Sequence, residues 1–110
     1  IMGSGEPRIT IATRILSRVG LVESPMEARQ RRIQEHEAAI QYWDRRVRQK
    51  RVQWNEQMRT AFDRNLNEID QVVGEYTLIL QKDPEDELSG EMLDAALSEK
   101  MNLLRQFSEL

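Results

Sequence analysis

The chain has 110 residues, with 16 Lys and Arg against 19 Asp and Glu, giving a formal net charge of −3. Charged residues make up 32% and hydrophobic ones 39%, a helix-rich composition with little to spare for a large core. With no Cys, disulfides, thiolate nucleophiles, Cys-based zinc sites and iron–sulfur clusters are excluded, and no apolar run approaches the roughly 18 residues that span a bilayer.

Charge is unevenly spread. Residues 29–64 carry ten basic and five acidic side chains, whereas residues 65–110 carry three basic and eleven acidic ones. Such asymmetry favours contact between the basic and acidic halves, within or between chains.

The chain opens on Ile1, followed by the flexible, polar Met2-Gly3-Ser4-Gly5, which reads as a trimmed start with other parts of the protein expected elsewhere. Residues 1–23 are therefore a flexible start plus a short amphipathic segment. Within it, Ile9, Ala12, Leu16 and Val19 recur at helical spacing, and Gly20 would stop the helix. The domain proper spans residues 24–110.

Ser24-Pro25-Met26-Glu27 is a helix start. Ser24 suits the N-cap, Pro25 the first helical position, and Glu27 completes a capping box. From there to Lys82 there is no Pro and only one Gly, Gly74. On a helical wheel the apolar residues from Ile33 to Leu80 keep one phase, within about 140° of arc. That phase predicts a single long helix over residues 25–82, about 88 Å at 1.5 Å per residue. A break near Asn55, which could cap a new start, is the alternative.

The seam changes along this helix. Ile33, Ile40, Val47 and Trp54 recur every seven residues, with Trp43 beside them and polar residues between. Beyond them Phe62, Leu66, Ile69, Val73, Tyr76 and Leu80 alternate by four and three, a coiled-coil seam. Asp83-Pro84 ends the helix, because the residue before Pro is pushed out of the helical region. A second helix over residues 85–109 follows, with Leu93, Leu97 and Leu104 on its apolar face.

The fold class expected is all-α: a long helix, an antiparallel shorter one folded back as an αα-hairpin, and a short N-terminal amphipathic helix. The second helix is too short to cover Ile33, Ile40, Trp43, Val47 and Trp54. These five are expected to form a homo-oligomer interface within residues 26–60.

Catalytic and cofactor sites are not in view. The sole His, His36, has Arg32, Ile33, Ala39 and Ile40 on its own face, none of which ligates a metal, so a solvated helix His is expected. Arg45-Arg46-Val47-Arg48-Gln49-Lys50-Arg51 carries five cations, but they surround the helix instead of forming the stripe a nucleic acid needs. The acidic run Asp83, Glu85, Asp86, Glu87 lacks the spacing of a calcium loop. The expectation is no enzyme, no metal, no cofactor and no nucleic-acid partner.

Residues 64–110 carry a further pattern: Asn65-Leu66 and Ile69-Asp70 on one helix, Leu80 before Asp83-Pro84, then Lys100 and Leu103-Leu104. This resembles the C-terminal extracytoplasmic region of bacterial membrane-anchored anti-sigma factors of the zinc-finger type. The resemblance implies a regulatory domain outside the bacterial inner membrane, on the periplasmic side. The protein would sequester a sigma factor through an N-terminal module, and would be anchored by a transmembrane helix. Neither that module's His and Cys ligands nor that helix is in this sequence. The hairpin reading of the same residues makes Asp83 and Pro84 the turn and lets Asp70 pair with Lys100 across it. Two alternatives stand beside the resemblance: a coiled-coil scaffold or adaptor that works by oligomerising, and a helical periplasmic stress or metal sensor.

Overall fold

The structure, a computed structural model, describes residues 23–110. The expected flexible start and short N-terminal helix lie outside the described residues. Among those described, the chain is all-helical, with three helices: α1 (Pro25–Arg51), α2 (Glu56–Lys82) and α3 (Glu87–Ser108). The chain divides into two units, Ile1–Arg31 and Arg32–Leu110.

In the first unit the start of α1 forms as its sequence dictates. The Ser24 hydroxyl accepts from the Glu27 N–H at 3.1 Å, and the Glu27 carboxylate accepts from the Ser24 N–H at 2.8 Å. Both bonds of the capping box are made, so two otherwise orphaned donors are satisfied. Arg31 reaches back to the Glu23 carboxylate at 2.9 Å.

The second unit corrects the expected long helix. The helix ends at Arg51, and residues 52–55 separate it from α2. The backbone tightens first: the N–H groups of Gln53 and Trp54 donate to the carbonyls of Lys50 and Arg51. Asn55 then takes an extended conformation, and its side chain accepts from the Met58 N–H at 2.8 Å. That is an N-cap, and it starts α2 without Gly or Pro. Two contacts hold the break from outside. The Arg59 guanidinium donates to the Arg51 carbonyl, which also accepts from the Trp54 N–H. Arg51 also grips Asp63 through both carboxylate oxygens, at 2.6 and 2.8 Å.

The physical reason is burial. A single helix of about 88 Å would leave the first half of its apolar seam in water. Reversal at 52–55 lets that half share a core with the rest. Val47 from α1, Trp54 from the break, Phe62 from α2 and Leu104 from α3 form one buried cluster, with Ile40, Trp43, Met58, Leu66, Leu103 and Phe107 packed on it. Trp54, Phe62 and Phe107 meet as three tilted or edge-on rings, 5.0 to 5.4 Å apart, an arrangement their quadrupoles favour.

The contacts also fix direction. Phe62 meets Phe107 and Asp70 meets Lys100, so α2 and α3 run in opposite senses. Arg32 meets Asp94 and His36 meets Ser98, each pair 62 residues apart, so α1 and α3 run in the same sense.

The second turn matches its sequence closely. The Asp83 N–H closes α2 on the Ile79 carbonyl at 2.8 Å, and Pro84 follows. Asp86 caps α3: one oxygen accepts from the Ser89 N–H at 3.0 Å and the other from its hydroxyl at 2.9 Å. The helix therefore begins at Glu87, two residues later than the sequence suggests.

Candidate functional site

The five residues expected to face another chain are mostly used within this one. Val47 is 2% exposed and Trp54 is 6% exposed. Ile40 and Trp43 pack on the same cluster, and Ile33 is half-buried. Side chains sealed in a chain's own core present no surface to a second copy, so Val47 and Trp54 belong to this chain's core. The sequence argument counted only one covering helix; the break at Asn55 makes α2 and α3 both available to α1.

The residues expected as core on α2 and α3 divide by depth. Phe62, Leu93, Leu97 and Leu104 are buried, whereas Leu66, Ile69, Val73, Tyr76 and Leu80 are half-buried. Lys100 reaches the Asp70 carboxylate at 2.7 Å, across the α2–α3 pair. Asp70 is largely exposed, so the pair contributes at most about 1 kcal/mol.

A polar clasp between α1 and α3 carried no sequence signal. Arg32 donates to one Asp94 oxygen at 3.1 Å, and His36 Nε2 lies 3.3 Å from the Ser98 hydroxyl. His36 was expected in solvent; it is half-buried instead. Its Nδ1 and the second Asp94 oxygen are buried without a hydrogen-bond partner. Each such group costs about 1–3 kcal/mol, so the clasp favours specificity of packing over strength. His36 and Ser98 touch, yet Ser98 lies inside α3, where the neighbouring N–H groups that would have to stabilise an oxyanion are committed to the helix.

The cationic stretch of α1 is largely engaged. Arg48 pairs with Asp44 at 3.0 Å, Arg51 with Asp63, and the Arg46 guanidinium lies over the rings of Tyr42 and Trp43 at 5.7 and 5.8 Å. The hydrogen-bonded Arg51 guanidinium holds the Asp63 carboxyl below the usual carboxylate range, and the Asp63 carboxylate raises Arg51 in return.

Among the described residues no group of three or more His, Cys, Asp or Glu is placed to hold a metal ion. No helix among them is long and apolar enough to cross a membrane. The arrangement offers surfaces for contact: α2 and α3 leave Val72, Leu78, Ile79, Leu88 and Met92 exposed, five large apolar side chains. Comparison with protein-family models, curated proteins and solved structures finds no match to this chain.

Proposed function

We propose that this chain is the extracytoplasmic regulatory region of a membrane-bound anti-sigma factor, a non-enzymatic helical domain that acts by protein contact. The observation that carries the reading is the placement of the pattern's residues. Asn65, Leu66, Ile69, Asp70 and Leu80 lie on α2, Asp83-Pro84 in the turn, and Lys100, Leu103 and Leu104 on α3. Two of the pattern's charged members, Asp70 and Lys100, are in contact at 2.7 Å. In this reading α2 and α3 are the family's helical hairpin, α1 is a third helix laid on it, and the domain sits on the periplasmic side of the inner membrane. The sigma factor is held by a separate module.

The test uses the full-length gene in its bacterial host, with a reporter driven by the cognate sigma-dependent promoter. Deleting the codons for residues 24–110 should change reporter output, and the gene should encode a His/Cys module and one apolar run of about 20 residues ahead of this region. A gene without both, or a reporter indifferent to the deletion, refutes the reading.

A further inference from the structure

The α2–α3 pair has two sides, and α1 occupies only one of them. Asp94 and Ser98 mark the occupied side, through their contacts with Arg32 and His36. At 100° per residue, Met92 points about 160° away from Asp94. On the open side a groove runs between the helices. Its middle is a hollow of about 310 Å³ lined by Asn65, Glu68 and Ile69 of α2 and by Glu99, Leu103 and Gln106 of α3, among others.

The hollow continues toward the Asp83-Pro84 turn as an apolar trough. Val72 is one helical turn beyond Glu68, and Ile79 two turns beyond Val72. Because the helices run in opposite senses, Met92, two turns before Glu99, and Leu88, one turn further, line the facing wall. Exposures are 36% for Val72, 40% for Ile79, 39% for Met92 and 67% for Leu88. Isolated exposed apolar residues need no explanation, but four on the facing walls of one groove are a patch.

The rims are acidic. Glu68 and Glu75 stand along α2, and Glu99 along α3; all three are exposed. Arg64 and Lys82 stand only at the ends of the α2 rim. A second copy laid face to face would set carboxylates against carboxylates, a costly match. The complement of an apolar trough between carboxylate rims is a helix with an apolar stripe flanked by Lys or Arg.

We propose that this groove receives a basic amphipathic helix of a partner protein. The apolar stripe fills the trough between Val72, Ile79, Leu88 and Met92, and the flanking cations pair with Glu68, Glu75 and Glu99. The inference needs only the groove and its charges, so it stands whether or not the domain belongs to an anti-sigma factor.

The test uses the full chain and three synthetic helical peptides of about 18 residues, long enough to span the trough. One has a Leu stripe flanked by Lys, the second has Glu in place of each Lys, and the third has the composition of the first in scrambled order. Binding is read by fluorescence anisotropy and mapped by amide chemical shifts. The Lys peptide should bind, shifting residues 65–80 and 88–103. The Glu and scrambled peptides should bind at least tenfold more weakly. Glu68→Lys with Glu99→Lys should weaken the Lys peptide at least tenfold and strengthen the Glu peptide. Val72→Gln with Met92→Gln should weaken it without changing the melting temperature, since these side chains are exposed. Equal binding of the Lys and scrambled peptides overturns the proposal, as does a shift map on another face. Self-association of the wild type that Val72→Gln with Met92→Gln abolishes would assign the groove to a second copy, and overturn it as well.

Discussion

The break between α1 and α2 makes a prediction whose sign decides the matter. Asn55→Ala removes the side-chain oxygen that accepts from the Met58 N–H at 2.8 Å. Loss of an N-cap of this kind costs about 1 kcal/mol, within a range of about 0.5–2. For a domain of about 60–100 residues this lowers the melting temperature by about 4–8 °C per kcal/mol. Were residues 25–82 one continuous helix, the same substitution would replace a poor helix former by the best one, and stability would rise by about 0.5 kcal/mol. The two architectures thus predict opposite signs for one exposed side chain. Asn65→Ala is the internal control: Asn65 is exposed within α2, so its replacement should stabilise. Thermal and urea unfolding followed by far-UV circular dichroism measure both, with an unchanged urea slope showing that only stability moved. If Asn55→Ala is as stable as the wild type, or more so, the cap and the break that it starts are wrong.

Three further outcomes follow from the packing and the charges. Val47→Glu places an unpaired carboxylate against Leu104 in the core, at a cost of several kcal/mol; circular dichroism should show unfolding, whereas a folded chain of lower mass in sedimentation would restore Val47 to an interface between copies. Gly74→Ala should stabilise by about 0.5–1 kcal/mol, because a Cβ there meets nothing within 4 Å and Gly weakens a helix interior; a lower melting temperature would mean that the middle of α2 is not a regular exposed helix. The Asp63 carboxyl is depressed by Arg51, so its contribution is present above its unfolded value and is lost as pH falls through the lower folded one. Asp63→Asn should therefore be the less stable protein at neutral pH, by less than about 1 kcal/mol for so exposed a pair. That gap should close below about pH 4 and shrink with salt; a gap that persists in acid would show that the ion pair is not its source.

What the sequence revealed and what it hid divide by the range of the forces involved. The start at Ser24-Pro25-Met26-Glu27 was legible because both bonds of the capping box join residues three apart. The stop at Asp83-Pro84 was legible because Pro restricts its immediate neighbour. The break at residues 52–55 was hidden because a helical wheel reads the phase of the apolar stripe and not the direction of the chain. Val47 and Phe62 keep one phase because both face the same core, and the same regularity arises whether the helix runs on or turns back. Asn55 was the only local mark, and an Asn inside a helix costs too little to be conspicuous. The clasp of Arg32 with Asp94 and His36 with Ser98 was hidden for a different reason: its members are 62 residues apart, and nothing local ties them.

The charge asymmetry was visible from the start, but its use was not. Basic residues 29–64 and acidic residues 65–110 suggested contact of opposite halves within or between chains. Within the chain, Arg32 reaches Asp94 across α1 and α3, and Arg51 reaches Asp63 across the break. These pairings use carboxylates on the side of the α2–α3 pair that α1 covers. Glu68, Glu75 and Glu99 are on the other side, and they flank the same groove that leaves Val72, Ile79, Leu88 and Met92 in water. Water solvates three carboxylates well but four large apolar side chains poorly. The uncovered apolar surface is therefore what favours a partner, and the carboxylates around it select one that is basic.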